Sequence, residues 1–219
     1  MAKRILKNMH DPLISDLGEK ELLKRLAKFM PEKQISDDCA YLRIQNNELL
    51  INTDLMVENT HFEKELLSPQ DLGWKATASN FSDLLSSGCD KILGINIGLV
   101  LPPNTNWSWV EELYKGINLA LTEFGGSILG GDIAKGTAKT ISINALGLQG
   151  KLIMRRSESK PDEILLTTGV HGLSKLGFLL KQNQMPNIKK SLSPELIAKS
   201  LKAFCRPQPK KDILQKILK

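Results

Sequence analysis

Two hydrophobic periods follow each other along the chain, and they predict strands and helices in alternation. Residues 92–100 alternate with a period of two, and Ile95, Ile97 and Leu99 share one face. In the segment that follows, at 108–124, apolar residues recur every three or four positions, the period of a helix with one buried face. Strands are predicted over 35–44, 48–53, 92–100, 127–129, 140–148 and 163–168. Helices are predicted over 19–29, 69–87, 108–124 and 172–181, with another that begins at Ser193. This succession predicts an α/β sandwich for the first part of the chain.

Two segments carry the signals that start a helix. Ser68, Pro69 and Asp71 stand in the order of an N-cap, a first helical residue and a carboxylate three residues after the cap. Ser108 and Glu111 have the spacing of a second capping box. Helices are therefore expected to begin at both serines.

A glycine-containing stretch at 147–150 predicts a hinge between two units. Residues 1–149 are then an N-terminal domain, and residues 150–219 are a partial C-terminal α/β domain. The second unit has 70 residues (219 − 149), at the low end for a self-sufficient domain. Five of its apolar side chains are therefore expected to stay exposed. They are Leu176, Phe178, Leu179, Leu201 and Phe204.

The composition favours a globular protein with reduced cysteines and no membrane-spanning segment. The chain has 219 residues, 41% of them hydrophobic, enough for a sizeable core. Its three cysteines form no CxxC pair and are typical of reduced thiols, and the sequence shows no signal peptide or apolar run of membrane-spanning length. A cytoplasmic location and no membrane partner are therefore expected.

The basic balance does not predict a nucleic-acid partner. The formal net charge is +6, but the lysines are scattered and aromatic residues make up only 5% of the chain. A single-strand binding surface needs aromatic side chains interleaved with basic ones. A solvated, lysine-rich surface is the better interpretation.

Four aspartates stand out as candidate ligands of a hard cation. Asp38, Asp54, Asp83 and Asp132 each lie at a predicted element end or in a stretch of small residues. Mg²⁺ prefers carboxylate oxygens, and it commonly binds through a few of them together with substrate phosphates. Phosphoryl transfer requires little more than such positioning and charge neutralisation. Taken alone, however, the same spacing is also that of ordinary turn and cap aspartates.

Other chemical motifs are absent from the sequence. Neither GxxxxGK[ST] nor GxGxxG occurs, so a Walker-type ATPase and a Rossmann dehydrogenase are not supported. No Cys/His pair has the spacing of a zinc site, and there is no Ser or Cys nucleophile motif. His61 follows Asp54 closely; it is either a structural histidine or a ligand contact.

The order of several segments resembles the thiamine-monophosphate kinases, a family in the superfamily of aminoimidazole ribonucleotide synthetase and selenophosphate synthetase. The pattern TD-x-x-V-E-x-x-HF followed by DLGWKA and N-x-SDL is much more specific than any single motif above. The matching segments are SDDCAYL, INTDLMVENTHF, SPQDLGWKATASNFSDLLSSG, LGGDIAKG, RRSESKPDEILLTTG and RPQP.

The resemblance implies a fold, a reaction and a set of site residues. The fold would be two α/β domains, with the N-terminal domain binding ATP and Mg²⁺ and pairing in a homodimer. The reaction would be direct transfer of the ATP γ-phosphoryl group to thiamine monophosphate, with no covalent enzyme intermediate. The implied metal ligands are Asp38, Asn52 (in place of a usual serine), Thr53, Asp54, Asp83 and Asp132. The resemblance also implies that Gly131 and Arg156 contact ATP and that His61 contacts thiamine monophosphate.

Some positions depart from the family pattern. Ser36 replaces a common glycine, and Leu173 lies where the family usually carries an aspartate. The family's later Asp-x-Ser-Asp-Gly segment has no counterpart after Pro209. The chain is therefore expected to be a kinase shortened in its second domain. The alternative is a non-catalytic remnant that binds nucleotide and metal and dimerises.

Overall fold

The computed structural model describes residues 12–31, 34, 37–184 and 186–217 of the chain. Within these ranges the structure has five strands and seven α-helices. The strands are β1 (Ala40–Ile44), β2 (Asn47–Val57), β3 (Cys89–Leu101), β4 (Ser127–Lys135) and β5 (Thr140–Gln149). The helices are α1 (Ile14–Leu26), α2 (Pro69–Ser86), α3 (Trp107–Phe124), α4 (Leu173–Lys181), α5 (Pro186–Ser191), α6 (Pro194–Cys205) and α7 (Lys211–Ile217).

All five strands form one sheet in the order β1-β2-β5-β3-β4. β3 and β4 are parallel and are joined through α3, while the other neighbours are antiparallel. β1 and β4 are the two edges. The predicted α/β architecture of the first part of the chain is confirmed.

One face of the sheet is covered by helices. α2 lies against β2, β5 and β3, and α3 packs on α2. The two helices approach so closely that a Cβ atom added to Gly73 would lie 2.1 Å from the carbonyl oxygen of Leu113. The side chains of Phe81, Ile117 and Ile143 are fully buried in this layer. The core of the molecule therefore lies between α2, α3 and this face.

The opposite face of the sheet has no helix packed on it among the described residues. Leu42, Ile44 and Leu55 project from that face and are about half exposed (50%, 47% and 53%). Every residue of the edge strand β4 is exposed. An apolar sheet face and a free strand edge are features that proteins usually cover with another element or another chain.

The C-terminal helices are attached to α2 by polar and aromatic contacts. The Arg206 guanidinium donates to Asp71, and the Trp74 indole N–H donates to the carbonyl oxygen of Pro207 at 2.9 Å. α4 and α6 pack on each other, with the Phe178 and Phe204 rings 5.6 Å apart. Phe204 is only 6% exposed, so the prediction that it stays exposed is wrong. The reason is that α2 and α4 together cover it.

The predicted strand over 163–168 is also wrong. The structure has no strand there, and Ile164, Leu165 and Leu166 are 85%, 98% and 71% exposed. A strand exists only where a neighbour takes up its N–H and C=O groups, and the described residues after β5 provide no such neighbour.

Two helix predictions need correction at their ends. α3 begins at Trp107 with Asn106 as its N-cap, so Ser108 lies inside the helix and caps nothing.

α2, in contrast, begins as predicted, with the Ser68 hydroxyl accepting from the Asp71 N–H at 3.1 Å. α1 includes most of the predicted 19–29 segment, but it bends at Gly18 (φ +67°) and contains no buried residue. Positions 35 and 36 of the first predicted strand lie outside the described residues.

No helix within the described ranges has the length and apolar character needed to cross a bilayer.

Candidate functional site

Asp54 lies inside a strand and not at its end. β2 continues to Val57 because β5 pairs with it throughout, with Asp54 opposite Ile143 and Val57 opposite Thr140. Side chains alternate along a strand, and residues directly opposite share a face. Asp54 therefore points to the same side as the buried Ile143, towards α2. Its carboxylate is half-buried at the base of the helix layer.

Three aspartates from separate segments influence one another there. The pKa of Asp83 is raised to about 6, mainly by burial and then by the negative charges of Asp54 and Asp38. Burial likewise raises the pKa of Asp54; Asp38 adds to this effect, and His61 opposes it. Sequence positions 38, 54 and 83 are thus brought to one site. Mutual repulsion between them favours a cation at this place.

The carboxylates do not by themselves form a complete metal cage. Within the described ranges, no three His, Cys, Asp or Glu side chains come close enough to hold a metal ion together. Mg²⁺ usually retains waters and takes one or two carboxylates plus substrate phosphates. The donor set fits a magnesium ion that arrives with a phosphate ligand.

An amide network supports the carboxylates. The Asn52 Nδ2 group donates to Asp83 Oδ2 at 3.1 Å and to Asn80 Oδ1 at 3.2 Å. Asn52 is 5% exposed, and its Oδ1 atom is buried without a hydrogen-bond partner among the described residues. A buried, unpartnered oxygen beside carboxylates is chemically suited to a hard cation or to water bound to one.

Sequence reasoning missed Asn80, which is 1% exposed. Its position could have been noticed from the pattern, since it is an amide on the apolar stripe of α2, three residues before Asp83. A buried polar side chain on such a stripe needs a partner.

Arg156 lies at Asp38. Its guanidinium donates to Asp38 Oδ1, and its backbone N–H donates to Asp37 Oδ1 at 3.1 Å. The Arg156 side chain remains 67% exposed. The guanidinium therefore supplies a positive charge at one predicted metal ligand while staying accessible to an anion.

Other predicted site residues lie elsewhere on the sheet. The Thr53 hydroxyl points to the uncovered face, where it accepts from Asn144 Nδ2 at 2.7 Å. Asp132 lies inside β4 opposite Gly98, on that same face. Gly131 lies in the same row across the sheet as Asp54, because the pairing runs from Asp54 through Ile143 and Ile97 to Gly131. Three steps between neighbouring strands separate the two residues by about 14 Å. The structure does not bring these three residues together with Asp54 and Asp83 within one chain.

Gly131 also has a packing role. A Cβ atom at this position would lie 2.0 Å from the carbonyl oxygen of Ile97, so β3 and β4 approach here only because the residue is glycine. The proposed contact with ATP stays a prediction.

His61 lies beside the acidic site, and its side chain is exposed. Its Nδ1 atom accepts from the Val57 backbone N–H at 3.2 Å. That bond requires an unprotonated Nδ1, so the proton of the neutral ring is on Nε2. His61 therefore presents an N–H donor towards any ligand that reaches it.

A cleft of about 950 Å³ extends from the acidic site. Asp54 and Asp83 line one part of it, and the loop at 167–172 lines another. Four basic side chains also border the cleft. They are Lys199, Lys202, Arg206 and Lys210. A cleft of this size with carboxylates at one place and cations at another suits a phosphorylated ligand that carries a divalent cation.

Comparisons with known proteins identify the family of this chain. The family profile described as AIR synthase related protein, N-terminal domain, matches residues 36–149. The chain is 45% identical over 208 residues to a thiamine-monophosphate kinase of Prochlorococcus marinus, a match that covers 94% of this chain and 62% of that protein. It is 32% identical to the thiamine-monophosphate kinase of Synechococcus elongatus, with the same coverage.

Solved structures show the same fold. A structure of AaThiL complexed with AMPPCP and TMP is 27% identical and gives a TM-score of 0.84, covering 95% of this chain and 65% of that one. The thiamine monophosphate kinase of Aquifex aeolicus is 26% identical and gives a TM-score of 0.79, covering 95% and 66%. This chain spans about 62% of the length of the curated relatives named above. The chain belongs to the AIR synthase related family, and its relatives within that family include thiamine-monophosphate kinases.

Proposed function

We propose that this chain binds ATP with Mg²⁺ and transfers the γ-phosphoryl group to thiamine monophosphate. The products would be thiamine diphosphate and ADP. The observation that carries the proposal is that Asp38, Asp54 and Asp83 lie near enough to influence one another, and that Asp54 and Asp83 line a large cleft. Support also comes from the relatives, which are thiamine-monophosphate kinases, and from the AaThiL complex with AMPPCP and TMP.

The reaction requires positioning and charge neutralisation. A phosphate oxygen of thiamine monophosphate forms a bond to the γ-phosphorus of ATP, and the bond from that phosphorus to the bridging oxygen of ADP breaks. Such a transfer needs no covalent intermediate on the protein. Mg²⁺ would neutralise phosphate charge when bound. Asp38, Asp54 and Asp83 would supply its carboxylate ligands, one or two of them to an ion, with phosphate oxygens and water as the other ligands and Asn52 as an additional oxygen donor.

Two further side chains, Arg156 and His61, are proposed to contact the substrates. Arg156 would turn from Asp38 towards the ATP phosphates, since its side chain is exposed and a guanidinium can donate two parallel hydrogen bonds to phosphate oxygens. His61 would donate from Nε2 to thiamine monophosphate. Both roles follow the resemblance, and the placement of both residues beside the acidic site supports them.

A homodimer through the N-terminal domain is part of the proposal. The uncovered sheet face carries half-exposed apolar side chains, Leu42, Ile44 and Leu55, and a second copy of this chain would bury them. Thr53 and Asp132 lie on that face, away from the carboxylates of their own chain. Pairing of two sheets would therefore place these residues in a shared interface, where they could serve a site that one chain leaves incomplete.

The proposed domains are residues 1–149, for ATP, Mg²⁺ and dimerisation, and residues 150–219, a partial C-terminal domain. A cytoplasmic location is proposed with them.

A second candidate function is nucleotide and metal binding without turnover. One observation favours it: the apolar segment at 164–166 is exposed and packs on no other element of the described residues. In this case the acidic site would bind Mg²⁺ with ATP but transfer nothing.

The test is conversion of thiamine monophosphate to the diphosphate with ATP and Mg²⁺, measured by chromatography of the products. Asp54→Asn is the loss-of-function control, and binding of AMPPCP is measured in parallel. Turnover that the control loses supports the kinase. Binding without turnover supports the second candidate. The absence of both binding and turnover would refute the two proposals together.

A further inference from the structure

We propose that Asn80 is a positioning residue for the metal site. It would fix the Asn52 amide so that the NH₂ group holds the Asp83 carboxylate and Oδ1 remains available to a cation or to its bound water. This inference rests on the proposed function, because it assumes that the acidic site binds a divalent cation with a nucleotide.

A continuous chain of hydrogen bonds carries the argument. Asn80 Nδ2 donates to the carbonyl oxygen of Ala76 at 2.9 Å, one turn earlier on α2. Asn80 Oδ1 accepts from Asn52 Nδ2 at 3.2 Å, and the same Nδ2 donates to Asp83 Oδ2 at 3.1 Å. The backbone of α2 is therefore linked through two amides to the site carboxylate.

The direction of each amide in this chain is determined. If Asn80 were turned over, its Oδ1 would face the Ala76 carbonyl oxygen, and two acceptors would meet. If Asn52 were turned over, its Oδ1 would face both Asn80 Oδ1 and a carboxylate oxygen. Amide direction is assigned from such networks, and here only one direction of each amide gives every contact a donor.

The position of the unpartnered oxygen follows from this arrangement. With Nδ2 occupied by two acceptors, Asn52 Oδ1 is left as the free atom of the amide, and it is buried without a hydrogen-bond partner among the described residues. Rotation of the Asn52 amide would relieve that buried oxygen. Asn80 and Asp83 both oppose the rotation because both accept from the NH₂ group, and Asn80 is in turn held by the backbone of α2. Groups that orient metal ligands in this way tune affinity without touching the metal.

Thr77 provides a contrast on the same helix. Its hydroxyl donates to the Gly73 carbonyl oxygen at 2.9 Å, one turn earlier, and the side chain is fully buried. Asn80 makes the same type of backbone bond and in addition reaches Asn52. A purely structural role for Asn80 would therefore resemble that of Thr77.

The experiment compares Asn80→Leu and Asn80→Ser with the matched control Thr77→Val. Asn80→Leu removes both bonds. Serine is too short to reach Asn52 but retains a hydroxyl for the Ala76 carbonyl, so Asn80→Ser decides the question if the leucine variant does not fold. Binding of Mn²⁺ in the presence of AMPPCP is followed by the electron paramagnetic resonance signal of free Mn²⁺. Thermal unfolding of each variant is recorded without metal.

We expect both Asn80 variants to bind Mn²⁺ with AMPPCP about 10- to 100-fold more weakly than the wild type, the range found when groups that orient metal ligands are removed. Thr77→Val should stay within about twofold, although its melting temperature falls comparably. Equal affinities for Asn80→Ser and Thr77→Val would overturn the inference and leave the proposed function intact. A wild type that binds no Mn²⁺ with AMPPCP would overturn the proposed function, and this inference with it.

Discussion

Asp83→Asn is expected to stabilise the metal-free protein at pH 8 while it abolishes metal binding. In the folded chain Asp83 is desolvated and lies near two other carboxylates, which raises its pKa to about 6. An unfolded aspartate titrates near pH 3.9. The folded state therefore binds the Asp83 proton more tightly, and the free energy of unfolding falls as pH rises from about 4 to about 6. At pH 8 the whole penalty is present.

The size of the effect follows from the pKa difference. A shift of about two pKa units corresponds to about 3 kcal/mol, and we take about 2 kcal/mol because the side chain keeps some contact with solvent. Asparagine removes the charge but still accepts the hydrogen bond from Asn52 Nδ2. For a chain of this size, about 2 kcal/mol should raise the melting temperature by about 4–8 °C.

The assay is thermal unfolding of wild type and Asp83→Asn in EDTA, measured at pH 8 and at pH 4. The stabilisation by Asp83→Asn should shrink towards zero at pH 4, where Asp83 of the folded wild type is already largely neutral. Asp90→Asn is the control, since Asp90 is exposed and its replacement should change stability by less than about 0.5 kcal/mol. Equal melting temperatures for wild type and Asp83→Asn at pH 8 would refute the idea that the site stores charge repulsion for a cation to relieve.

Three further outcomes are expected. Gly73→Ala should lower the free energy of unfolding, measured by urea titration, by about 1–3 kcal/mol, because the added Cβ atom would lie 2.1 Å from the Leu113 carbonyl oxygen. An unchanged midpoint would contradict the close crossing of α2 and α3. Arg156→Ala should weaken AMPPCP binding in Mg²⁺ by about tenfold or more, measured by isothermal titration calorimetry, with Arg156→Lys recovering part of the loss; equal affinity for all three proteins would exclude a phosphate contact. Arg206→Ala should remove the contact with Asp71, lower the free energy of unfolding by about 1–3 kcal/mol and speed proteolytic cleavage within the C-terminal helices. Cleavage at the wild-type rate would show that this ion pair does not hold those helices on α2.

The sequence by itself determined the elements of the first part of the chain and their buried faces. Period-two alternation located Ile95, Ile97 and Leu99 on the inner face of β3, and all three are buried. The Ser68–Pro69 signal placed the start of α2 correctly, because an N-cap depends only on residues within one turn. The segment order also identified the family. These features are local in the chain, so local patterns suffice to predict them.

Tertiary structure alone decided which candidate residues meet. Asp54 looked like a strand-end residue, but β5 extends the pairing and aims its carboxylate at α2. Asp132 carries the same type of side chain but lies on the other face of the sheet. The residue before it, Gly131, is in the row of Asp54, and adjacent residues of a strand point to opposite faces. The amide of Asn80 acquires its partner from β2, 28 residues earlier. The strand predicted at 163–168 shows the same limit: its residues favour a strand, but a strand also needs a neighbour, which no local pattern can supply.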